Sequence, residues 1–89
     1  MSFAKLFQSK TFGQILAVVS TDEEGKPEIR WSCKPPGLGL CAMAFGFDDS
    51  DEGWDRAEAA LESADLVKAE ETAAALFKAC GIAVPKEQP

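Results

Sequence analysis

The chain has 89 residues, 46% of them hydrophobic and 27% charged, with a formal net charge of −6. A chain of this size buries roughly 60 to 65% of its unfolded surface, which is enough for one core and excludes two, so a single α+β domain over residues 1–89 is expected and wholesale disorder is not. Five basic and four acidic residues precede Pro35, whereas four basic and eleven acidic residues follow it, so the concentrated basic face needed for direct nucleic-acid binding is missing.

Ser2 is a candidate cap for a short N-terminal helix over residues 3–9, because Phe3, Leu6 and Phe7 fall at i, i+3 and i+4. The Val- and Ile-containing run Gln14 to Ser20 reads as a first strand, closed by the turn-forming stretch Thr21 to Pro27. Its inward set is either Ile15, Ala17 and Val19 or Leu16 and Val18, since a slip of one residue exchanges the faces.

Residues 28–34 alternate with period two: Ile29, Trp31 and Cys33 on one side, Glu28, Arg30, Ser32 and Lys34 on the other. Pro35-Pro36-Gly37 then supplies a tight reversal, and a third strand returns antiparallel through residues 38–47. Centring the hairpin on Gly37 sets Cys33 against Cys41, Trp31 against Met43 and Ile29 against Phe45, so each inward residue meets an apolar partner.

After Phe47 the period becomes helical. Ser50 and the acids around it mark a helix start, with Trp54, Ala57 and Leu61 on one face. Ser63-Ala64-Asp65 offers a second cap, followed by a stripe of Leu66, Ala69, Ala73, Leu76, Phe77 and Cys80 that ends at Gly81. Two antiparallel helices are expected, with one continuous helix over 51–80 as the alternative, and the last few residues should fray. The architecture so predicted is a three-stranded antiparallel meander with two C-terminal helices packed on the face of Trp31, Met43, Phe45 and Phe47.

The absence of histidine excludes Ser-His and Cys-His catalysis, histidine metal ligation and a histidine pH switch within one chain. The remaining carboxylates, Lys, Arg and Cys form no recognisable catalytic constellation, so an enzyme is not the expected reading, and no cofactor is implied. Cys33, Cys41 and Cys80 are odd in number and lack C-x-x-C spacing, and the N-terminus lacks a secretory pattern; a reducing, cytoplasmic setting is expected. Apolar runs are too short for a membrane span.

Asp48 to Gly53 resembles the start of a calcium loop, but its ninth position would be Arg56 and its twelfth Ala59, so capping and solvation are expected and no metal is assigned. Buried Cys33 and Cys41 are expected to act as small hydrophobes, and the glycines of Gly37-Leu38-Gly39-Leu40 to serve a turn rather than a phosphate.

Two surfaces carry candidate binding residues. The outer sheet face holds Arg30, Ser32 and Lys34 beside Ala42, Ala44 and Gly46, with Leu16, Val18 and Leu40 as further members. It is partly apolar, so either the Phe3, Leu6 and Phe7 stripe covers it or another chain does, a homodimer being the simplest case. The helices present Glu58, Glu62, Glu70 and Glu71, which would suit a basic protein partner. A non-enzymatic interaction or accessory module is the first reading; a small-anion ligand-binding protein or minor enzyme with a site near Arg30 and Lys34 is the alternative.

Overall fold

The computed structural model describes residues 3–35 and 37–84. The expected cap at Ser2, Pro36 of the expected reversal and the C-terminal end from Pro85 lie outside them. The chain forms β1 (Ala4–Ser9), β2 (Gly13–Thr21), β3 (Pro27–Cys33), β4 (Cys41–Gly46), α1 (Asp51–Ser63) and α2 (Leu66–Ala79). The strands make an antiparallel meander in the order β1-β2-β3-β4.

The fold is α+β as expected, with one correction: the sheet has four strands, and residues expected to form an N-terminal helix are β1. A helix of six or seven residues gains too few hydrogen bonds to repay its nucleation, whereas the edge of β2 offers a complete ladder. The alternation was masked because two inward positions of β1 are polar. Each has a partner. Lys5 Nζ donates to the carbonyls of Glu62 (2.8 Å) and Ala64 (3.1 Å), placing a cation at the negative end of α1. Ser9 Oγ donates to Glu70 Oε2 (2.6 Å) and accepts from the amides of Thr11 (3.1 Å) and Phe12 (3.0 Å), which shapes the turn into β2. Between them Phe7 stacks on Trp31, with ring centroids 6.1 Å apart.

The register of β2 selects Ile15, Ala17 and Val19 as the inward set, all buried. The β3–β4 hairpin has the register deduced from the sequence, Cys33↔Cys41, Trp31↔Met43 and Ile29↔Phe45. At its turn, Pro35 O accepts from Leu38 N (3.2 Å) and Gly37 takes φ +79°, a conformation that favours glycine. Strand β4 starts three residues later than expected, at Cys41, and Phe45 on this edge, expected under the helices, is 49% exposed.

The described residues form two helices. Ala64 and Asp65 have extended backbone, which ends α1 and restarts the chain as α2, and Asp65 Oδ1 caps the second helix through Lys68 N (2.9 Å). Each helix packs chiefly on the sheet, α1 over β2 and β3, and α2 across all four strands. Ala57, Ala69 and Ala73 are fully buried, and these small residues let the helices approach the strands closely, with Leu61, Leu76 and Phe77 filling the remaining core. Leu66 and Cys80, expected on the buried stripe, sit at the first turn and the cap of α2 and are exposed.

Ser50 caps α1 by accepting from Gly53 N (3.0 Å). Gly53 itself is buried, and a Cβ there would overlap the Asp48 carbonyl oxygen. Alanine normally favours a helix by about 1 kcal/mol over glycine. Gly53→Ala should nevertheless destabilise this protein by about 1 to 2 kcal/mol, because the backbone of the preceding loop must move. Urea unfolding checks this, and a gain in stability would contradict the packing described.

Candidate interaction surface

Strands in a sheet alternate their side chains between faces, so the residues between the buried ones share the face away from the helices. On β1 these are Ala4, Leu6 and Gln8; on β2, Leu16 and Val18; on β3, Glu28, Arg30 and Ser32; on β4, Ala42 and Ala44. Leu6 stands directly opposite Leu16. Because residues 3–9 join the sheet edge instead of folding across it, none of the elements of the described residues covers this face. Leu6 is 56% exposed, Leu16 36% and Leu40 73%.

Charge on this face is muted. Arg30 Nε lies 3.2 Å from Glu28 Oε2. These residues are two apart on one strand and therefore on the same side, and the carboxylate beneath the guanidinium is buried. Ser32 is buried and Lys34, just beyond the end of β3, is exposed. Leu6, Gln14, Leu16, Ser32, Cys33, Lys34 and Leu40 surround an open depression of about 280 Å³. Ligand sites for drug-sized molecules run from about 300 to 1,000 Å³ and enclose their occupant; this hollow is smaller, open and mostly apolar.

No protein-family model, curated protein or solved structure matches the chain. The arrangement of the residues therefore carries the functional reading. The expected trio Arg30, Ser32 and Lys34 does share one face, but only Ser32 and Lys34 border the depression, while Arg30 is engaged by Glu28. The acidic candidates are divided between the helices: Glu58 and Glu62 belong to α1, Glu70 and Glu71 to α2. Glu70 is occupied by Ser9, Glu58 is half-buried, and Glu62 and Glu71 are exposed. Leu6 and Gln14 were absent from the sequence-based candidates. Period-two alternation across Lys5-Leu6-Phe7 would have found Leu6, had the inward lysine been read as a partnered residue.

The other sequence motifs resolve locally. Among the described residues no three acidic or cysteine side chains come together as a metal-binding group, and Ser50 of the acidic run serves as a helix cap. Cys33 and Cys41 are opposite in register, but the Cys41 thiol associates with Cys80, the two sulfurs sharing a hydrogen bond at 3.0 Å. Hydrogen bonding within this pair favours the protonated form of Cys41 and is the main cause pushing its thiol up to about 11, and burial raises Cys33. No helix of the described residues is long and apolar enough to cross a membrane.

Proposed function

We propose that this protein is a small non-enzymatic interaction module that docks through its outer sheet face, with a second copy of itself as the occupant. The observation that carries the reading is the uncovered apolar patch of Leu6, Leu16, Val18, Leu40, Ala42 and Ala44. A sheet packed on one side ordinarily presents polar residues on the other.

Charge supports self-association by this face in preference to the helical side. Two copies meeting through α1 and α2 would oppose Asp51, Glu52, Asp55, Glu62 and Glu71 to the same exposed acids. On the sheet face the Arg30–Glu28 pair is internally neutralised, which leaves few like charges to oppose. Four strands spaced about 4.8 Å apart and six or more residues long give a footprint of roughly 500 Å². That is below the ~800 Å² per partner of a standard stable interface, so the dimer is a weak, concentration-dependent one.

Amide NMR spectra recorded over a dilution series test the surface directly. Shifts confined to β1, β2, β3, β4 and the Leu38–Leu40 segment are expected. Shifts concentrated on Glu58, Glu62 and Glu71, appearing when a basic protein is added, would replace this reading with acidic docking. Shifts at Ser32 and Lys34 on adding inorganic phosphate would replace it with anion binding.

A further inference from the structure

The geometry points to Cys41 and Cys80 as a reversible disulfide-forming pair that clasps the end of α2 to the edge strand β4. Cys41 is the first residue of β4 and half-buried; Cys80 is the cap residue of α2 and exposed. Their sulfurs are 3.0 Å apart, about 1 Å from bonding distance, so a small adjustment of the side chains closes the link. Cys33, although opposite Cys41 in register, is buried. This clasp does not depend on the outer-face dimer, because both cysteines lie on the helix side of the sheet.

The exposed sulfur reacts first. With hydrogen peroxide as the oxidant, the Cys80 thiolate attacks one oxygen, the O–O bond breaks, and hydroxide leaves and is protonated to water, producing a sulfenic acid. Cys41 then attacks the Cys80 sulfur; the S–O bond breaks, the S–S bond forms, and the Cys41 proton departs with the second water. Two electrons pass from the sulfur pair to peroxide. The order fits the resting geometry, since Cys80 is exposed and Cys41 is half-buried beside it. The link joins residues 39 apart and encloses both helices, so it removes substantial freedom from the unfolded chain.

The test is peroxide treatment of the purified full chain, followed by intact mass, tryptic mapping and thermal unfolding. Trypsin leaves Cys33 and Cys41 on one peptide, because Lys34 precedes Pro35, and Cys80 on another. The expected product is a monomer lighter by two hydrogens, with the two peptides joined and fragmentation placing the bond at Cys41. Its melting temperature should rise by about 10 °C and return on adding a thiol reductant. Cys80→Ser should abolish the rise and Cys33→Ala should keep it; wild-type fragmentation decides alone if Cys33→Ala fails to fold. A Cys33–Cys41 bond, cross-links only between chains, or sulfinic acid at Cys80 with Cys41 still free would overturn the proposal.

Discussion

Phe77→Ala should lower stability by about 4 kcal/mol and the melting temperature by roughly 20 °C. Phe77 is 1% exposed and is the largest fully buried side chain among the described residues, and its ring meets Phe12 edge-on with centroids 5.2 Å apart. Phe12 belongs to the β1–β2 connection whose amide is held by Ser9, so this contact ties α2 to the turn that brings the edge strand into the sheet. Alanine would leave a cavity where helix, turn and sheet converge. A domain of this size has about 5 to 10 kcal/mol in total, so roughly half would be lost. Chemical denaturation followed by fluorescence measures the change. A loss below about 1 kcal/mol would mean that the α2–sheet junction is not the centre of the core.

Leu16→Lys should have the opposite profile, a large loss of association with little loss of stability. Leu16 lies mid-strand on β2, between Leu6 on one neighbour and Ser32 on the other. The monomer forfeits one partly exposed cross-strand apolar pair, about 0.5 to 1 kcal/mol. The dimer must bury an ammonium on each copy near the Lys34 charges, and like charges brought together in an interface cost several kcal/mol. Affinity should fall at least about 100-fold. The contrast with Phe77→Ala separates the two faces of the sheet: apolar residues maintain the fold on the helix side and would form the proposed dimer contact on the other.

The β3–β4 hairpin was legible because Ile29, Trp31 and Cys33 alternate cleanly with polar neighbours and the reversal at Gly37 fixes the register. Ser50 and Asp65 likewise announced both helix starts, since short oxygen-bearing side chains at those positions satisfy free amides. Strand β1 was not legible. The spacing of Phe3, Leu6 and Phe7 fits a helix, and the inward Lys5 and Ser9 acquire partners only when α1 and α2 are in place, some 60 residues later. The clasp was hidden for the same reason, because nothing local to Cys80 indicates that the end of α2 returns to the start of β4. Of the candidate binding residues, those on β3 were found as a set by alternation, while the glutamates, grouped by composition, are divided between two helices with different neighbours.

Sedimentation equilibrium of the wild-type chain and of Leu16→Lys over a range of concentrations tests the central claim most directly. The wild type should move from the 9.5 kDa monomer toward twice that mass as concentration rises, and Leu16→Lys should remain monomeric while still folded. A wild-type chain that stays monomeric at millimolar concentration, or a Leu16→Lys variant that associates as strongly as wild type, would contradict it.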